Sequence, residues 1–314
     1  MRRLAVVAAA LLMALPAASA EALVVNNGTI YWMRDSGGIG SVNVDGTGLK
    51  RQLVRGVTAD DLAVDGAYLY WSGEDRRGKT VIGRAGTDGR HVKRKLLKAD
   101  AHAIAAYGGS VYWLTGKTIG RARASGRGAK PRLLNVRQSG WQASDLAVGP
   151  AGIFWGQGLA GKAKERARES GPIARIGRAD LSGAHADHDF ASWRAHALFV
   201  SDPRVIGLDG PSLYWLTANP DNVLHHLAAE ADDVGFCQPV LSNCEVLMRL
   251  ADEAVNPNSR FAVADGVLYW ATPVDGGTRL YAAPIERETI AGIPGASETL
   301  QASRQIAFVR DAIR

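Results

Sequence analysis

An aromatic residue followed directly by tryptophan recurs along the chain, at Tyr31-Trp32, Tyr70-Trp71, Tyr112-Trp113, Phe154-Trp155, Tyr214-Trp215 and Tyr269-Trp270. Successive pairs are 39, 42, 42, 60 and 55 residues apart. Self-similarity at a period near forty means repeated supersecondary units that bury their apolar faces against one another. With 314 residues, 36 glycines and 46% hydrophobic content, the composition is that of a turn-rich globular chain. No apolar run reaches the roughly 18 to 20 residues that a membrane-spanning helix needs.

Each aromatic-Trp pair closes a hairpin. Leu62-Ala63-Val64-Asp65-Gly66 leads into Leu69-Tyr70-Trp71, and Leu208-Asp209-Gly210 leads into Leu213-Tyr214-Trp215. Asp-Gly between two β-rich runs is the strongest short hairpin signal. A third strand follows at Ile39-Gly40, Ile82-Gly83-Arg84, Ile119-Gly120-Arg121 and Ile176-Gly177-Arg178. A more polar fourth strand comes next, as at His91 to Leu97 or Lys130 to Leu134. Four strands repeated six times predict an all-β chain, a six-bladed β-propeller of four-stranded antiparallel blades. In that fold the paired rings are packing between blades rather than a carbohydrate platform.

The repeated Tyr-Trp resembles the YWTD propellers of the low-density-lipoprotein receptor family and their bacterial relatives, over Ala22 to about Ile306. The resemblance implies the propeller fold. The Thr-Asp that completes the motif is largely missing, since Met33-Arg34, Ser72-Gly73, Leu114-Thr115 and Gly156-Gln157 stand there. A receptor-like role is therefore not carried over, and propellers host binding proteins and enzymes alike. Gln305 to Arg314 reads as a further first strand, so it or Leu23 to Gly28 must sit outside the regular ring.

Met1-Arg2-Arg3, the apolar stretch Leu4 to Pro16 and Ala18-Ser19-Ala20 read as a secretory signal peptide cleaved after Ala20. The domain division is then 1–20 signal peptide and 21–314 a single propeller, in the periplasm or outside the cell. Cleavage lowers the formal charge from +6 to +4, and the expected partner is a protein or an anionic polymer rather than nucleic acid. Cys237 and Cys244 are expected to form a disulfide in that compartment.

Two insertions interrupt the repeat, Gly156 to Arg175 in blade four and Leu216 to Glu245 in blade five. Gly161 to Glu169 is expected as a solvated helical turn or loop, and Asn222 to Ala231 as a short helix capped by Asp221. Trp141 and Trp193 are placed on the connections entering blades four and five, beside these insertions. Residues just ahead of each first strand should ring the mouth of the central channel: Asp60, Asp61, His102, Asp145, Arg204 and Arg260, with Arg304 if the last segment joins. Arginine forks suit carboxylate or phosphate. Asp60, Asp61, Asp145 and His102 supply instead the oxygen and imidazole donors of a Ca²⁺ or other divalent site. His185-Ala186-Asp187-His188-Asp189 lies on an outer strand, with its two histidines on opposite faces. No nucleophile elbow, zinc-protease helix or phosphate-binding glycine loop is present.

These residues favour an exported, monomeric, non-catalytic binding module without a cofactor, touching its partner through Trp141, Trp193, His102, Arg204, Arg260 and Arg304. The alternative is a metal-dependent hydrolase or lyase at the channel mouth.

Overall fold

A computed structural model describes residues 23–34, 37–159, 172–194, 203–217, 223–228, 235–236, 245–249, 260–274, 277–285 and 304–310. The expected signal peptide, the loop at 161–170 and both cysteines lie outside the described residues.

The strands form six sheets. Sheet one is β1 (Leu23–Asn26), β2 (Thr29–Met33), β3 (Ile39–Asn43) and β4 (Lys50–Val54). Sheet two is β5 (Asp61–Asp65), β6 (Tyr68–Glu74), β7 (Thr80–Gly86) and β8 (Lys93–Lys98). Sheet three is β9 (Ala103–Tyr107), β10 (Ser110–Leu114), β11 (Thr118–Arg123) and β12 (Lys130–Asn135). Sheet four starts with β13 (Trp141–Gly149), β14 (Gly152–Leu159), β15 (Pro172–Ala179) and β16 (Asp187–Arg194). Sheet five is β17 (Pro203–Asp209), β18 (Ser212–Thr217), β19 (Val223–Ala228) and β21 (Glu245–Arg249), and a two-residue strand, β20 (Gly235–Phe236), interrupts it in sequence. Sheet six is β22 (Arg260–Ala264), β23 (Val267–Val274), β24 (Gly277–Pro284) and β25 (Arg304–Arg310). Five sheets are plain four-stranded antiparallel blades. The exception is sheet four, where β20 adds a parallel fifth strand through Ala191↔Gly235 and Ser192↔Phe236.

Adjacent residues on a strand point to opposite faces. Each aromatic-Trp pair uses this to reach both neighbouring sheets. Tyr31 clusters with Trp71, Tyr70 with Trp113, Tyr112 with Trp155, Phe154 with Trp215, and Tyr214 with Trp270. Tyr269 of the last sheet then clusters with Trp32 of the first. The first strands are neighbours in the same order, from β1 beside β5 to β22 beside β1. This is the packing of an all-β propeller.

The glycine of the third strand belongs to the same device. Trp32 lies opposite Gly40, Trp71 opposite Gly83, Trp113 opposite Gly120 and Trp155 opposite Gly177. A β-carbon at any of these glycines would stand inside the indole ring. Their backbones are not in the left-handed region, so space alone demands glycine. Pairing between third and fourth strands slips at the same point, between Ile39 and Ser41, Ile82 and Arg84, Ile119 and Arg121, and Ile176 and Arg178. Such a bulge bends the outer strand and increases its twist.

A second repeated device joins neighbouring sheets near the first hairpin. Gly109 N–H donates to Asp65 Oδ2 at 2.7 Å, Gly266 N–H to Asp209 Oδ2 at 2.7 Å, and Asn26 Nδ2 to Gly66 O at 3.0 Å. These side chains end the first strand of one sheet and hold the hairpin of the next. The bonds therefore do not need the Thr-Asp that the chain lacks.

Three expectations are corrected. The helix expected over Asn222–Ala231 is the strand β19, paired along β18 with Trp215 opposite His225. Closing the ring of sheets requires a third strand there, and this outweighs local helix propensity. The insertion thus falls between the third and fourth strands of sheet five. Gln305 to Arg310 belongs to β25, the outermost strand of sheet six, so the segment completes that sheet instead of supplying a further first strand. His185 is in a turn at φ 50° rather than on a strand, and its ring nitrogen lies 3.0 Å from Asp180 Oδ2.

The indole contacts make a direct test. Gly83→Ala or Gly120→Ala should each cost about 1–3 kcal/mol through overpacking. Gly116→Ala, with nothing within 4 Å of the added carbon, should be close to neutral. Urea denaturation of the three variants separates a steric requirement from a general intolerance of substitution.

Candidate functional site: the propeller mouth and the edge of sheet four

The residue opposite each tryptophan on the first strand fixes a common register. Leu62 faces Trp71, Leu146 faces Trp155, Val205 faces Trp215 and Phe261 faces Trp270. Asp61, Asp145, Arg204 and Arg260 each stand one residue earlier, so they occupy equivalent positions in sheets two, four, five and six. Asp60 and His102 are one position further out. Their N–H groups donate at 2.8 Å to Ser72 O and Leu114 O of the adjacent strands. Arg304 is not in this ring, because it opens the outermost strand of sheet six, opposite Ala282. The apparent first-strand pattern of its segment belongs instead to an edge strand.

Asp61 is held by two backbone groups. Its Oδ1 accepts Leu62 N–H at 2.9 Å, and its Oδ2 accepts Ile104 N–H of the next sheet at 2.8 Å. Burial pushes its carboxyl up to about 6, while Arg260 and the two N–H groups oppose the rise. Asp60 is also raised, first by burial and then by Glu74, with His102 and Arg260 pulling the other way. Arg260 of sheet six thus acts on both acids of sheet two. Arg260 Nε is buried without a hydrogen-bond partner among the described residues. Asp145 repeats part of the Asp61 arrangement, accepting Leu146 N–H at 2.8 Å.

Trp141 and Trp193 lie within strands β13 and β16 of sheet four, opposite Leu159 and Ala174. They are not on connections, because β13 and β16 are longer than the corresponding strands of sheets one to three. The Arg175 guanidinium stacks on the Trp141 ring at 4.0 Å. Its Nε donates to Gln157 Oε1 at 3.0 Å, and Gln157 Nε2 donates to Val136 O of sheet three at 2.9 Å. Arg175 is buried, and its Nη2 has no partner among the described residues. Burial lowers its pKa, opposed by Asp189 and Asp187. His188, edge-on to Trp155 at 5.5 Å, is lowered by burial and then by Arg175.

Gln157 and Arg175 were missed in the sequence. The signal was present: Gln157 occupies the position of Gly73 and Thr115 in sheets two and three, and Arg175 precedes the indole-facing Gly177 by two residues. Aligning the repeats on Trp and Gly exposes both. Among the described residues no three His, Cys, Asp or Glu side chains gather in a way that would hold a metal ion. Asp60, Asp61, Asp145 and His102 accordingly do not form such a group. No described helix is long and apolar enough to cross a membrane.

No family model matches the chain, and no curated protein matches it either. Solved structures do. The soluble aldose sugar dehydrogenase of Escherichia coli is 13% identical at a TM-score of 0.49, over 84% of this chain and 95% of that one. TolB from Acinetobacter baumannii is 12% identical at 0.47, over 84% of this chain and 61% of TolB. The β-propeller domain of the trilobed protease from Pyrococcus furiosus is 11% identical at 0.46, over 85% of this chain and 84% of that domain. The chain thus spans less than two thirds of TolB. These likenesses concern fold alone.

Titration of Asp61 gives a test. The folded carboxyl holds its proton more tightly than the ordinary value of 3.8 would allow. Its stabilising contribution is complete below that value and is lost as pH rises through about 6. The native chain should gain stability between pH 7 and pH 4.5, and Asp61→Asn should reduce that gain. Melting temperatures across the range measure it, and equal pH dependence of the two proteins would contradict the assignment.

Proposed function

We propose that the chain is an exported six-bladed propeller acting as a non-catalytic binding module for a protein or an envelope or extracellular polymer. The observation that carries this reading is the hydrogen bonding of Asp61 at the mouth. Both carboxylate oxygens of Asp61 accept backbone N–H groups, one from its own sheet and one from the next. A carboxylate used to hold two sheets together is poorly placed to move protons or bind a metal. The contact surface in this reading is the mouth, with Arg260, Asp60 and His102, extended over sheet four by Trp141 and Trp193. Trp141 is half-buried on Arg175, an arrangement that fixes an aromatic anchor at small entropic cost. The first twenty residues act as the export signal, Cys237 and Cys244 form a disulfide, and the chain is a monomer.

The alternative, a metal-dependent hydrolase or lyase, draws on the raised carboxyl of Asp61 beside Asp60 and His102. Elemental mass spectrometry of the chain from Glu21 onwards, purified without chelators, separates the two. The binding-module reading expects no stoichiometric metal. One Ca²⁺ or Zn²⁺ per chain, lost in Asp60→Ala or Asp145→Ala, would put the enzyme in its place. Affinity capture from the envelope fraction should then be weakened by pairing Trp141→Ala with Arg260→Ala, in a variant that still melts cooperatively.

A further inference from the structure

The charge of this chain is divided unevenly around the ring. Residues 23–137, which hold sheets one to three, contain 20 Lys and Arg against 9 Asp and Glu. Residues 138–314 contain 15 against 21. The division is sharpest on the outer strands, where the register compares the sheets position by position. The first residue of the fourth strand pairs with Ser41, Arg84, Arg121, Arg178, His226 and Ala282 in the six sheets. At that position stand Lys50, Lys93 and Lys130, then Asp187 and Glu245, and last Arg304. Lys50, Lys93 and Lys130 are all exposed.

The turns between third and fourth strands join these positions into one band. Gly89, in the turn of sheet two, lies against Leu53 of β4, and Gly126, in the turn of sheet three, lies against Leu96 of β8. Exposed Arg90 and Arg127 sit on those turns, beside the outer strand of the preceding sheet. Arg94 of β8 donates at 3.0 Å to Arg55 O of sheet one. The next turn, where Gly183 meets Leu133 of β12, carries Asp180 and leads into Asp187, and there the sign reverses. Among the described residues, ion pairs inside the band are confined to Lys95 with Asp75 at 3.3 Å and Arg90 with Asp88 at 3.9 Å.

Charged side chains on an edge strand guard against edge-to-edge pairing, but either sign does that. Asp187 and Glu245 occupy the same register as the lysines. Edge protection therefore does not account for one sign on three consecutive sheets, which adds self-repulsion. We propose that the outer edge of sheets one to three is a binding surface for a linear polyanion, a polymer with repeated phosphate or carboxylate groups. A linear chain of like charges matches a band that runs around the rim, and lysine and arginine contacts made across several sheets act together. This surface is separate from the mouth and does not depend on the reading given there.

The test uses the chain from Glu21 onwards with two probes, long-chain inorganic polyphosphate and poly-glutamate, titrated at several salt concentrations. At least one should bind at low salt, with affinity falling steeply as salt rises. The triple variant Lys50→Glu, Lys93→Glu, Lys130→Glu should weaken that binding roughly tenfold or more, and Asp187→Lys should tighten it. Trp141→Ala with Arg260→Ala should leave it unchanged, which keeps this surface distinguishable from the mouth. Melting curves verify folding, and the triple Gln variant serves if the Glu variant does not fold. Preference for one probe identifies phosphate or carboxylate as the recognised group. Failure of both to bind, or binding indifferent to the triple variant, would each overturn the proposal.

Discussion

Everything in this molecule depends on two neighbouring side chains that point in opposite directions. In each sheet the aromatic residue faces one neighbour and the tryptophan after it faces the other, so every interface receives one ring from each side. The six tryptophans of these pairs are at most 3% exposed. Burying side chains of this size contributes at least about 1.5–3 kcal/mol each. The third-strand glycine is the other half of the arrangement in sheets one to four. It lets the indole lie flat across the neighbouring strand, and the bulge at that glycine bends the outer strand. Sheet six solves the same problem differently, stacking Tyr281 on Trp270 at 5.3 Å and 15°.

Polar groups refine what the rings establish. Asp65 and Asp209 link hairpins on one side of the ring, and Asp61 links sheets two and three at the mouth. The Asp61 bond sits where burial raises the carboxyl, so the mouth is both a seam and a group that responds to acid. On sheet four a different chain of contacts runs from Trp141 through Arg175 and Gln157 to the backbone of sheet three. No equivalent arrangement can exist in sheet two, where Gly73 and Val81 replace Gln157 and Arg175. The irregularity of sheet four, with its long strands and its extra edge strand, thus coincides with its distinctive polar network.

Much of this was legible before any coordinates. The hairpins, the third-strand glycines and the outer basic strand of sheet two follow from periods of two and of about forty, because packing between identical units repeats itself in sequence. Asp61, Asp145, Arg204 and Arg260 could be aligned for the same reason. Legibility failed where the repeat was broken. The segment at 222–231 carries good helix formers, yet β18 needs a partner, and pairing there makes Val223–Ala228 a strand. Arg304 looked like a first-strand residue because inner and outer strands share the same short apolar alternation.

The sequence by itself determined the repeating unit, since the aromatic pair, the glycine opposite it and the turn residues recur at matching positions along the chain. Tertiary structure decided which strand of a sheet is innermost, which acids meet a neighbour's backbone, and that β20 covers the edge of sheet four. It also decided that the turns ahead of the basic outer strands β8 and β12 each lie against the outer strand of the preceding sheet. Those facts depend on which units become neighbours around the ring. Contacts between residues forty or more positions apart leave no mark on the local pattern from which strands are read.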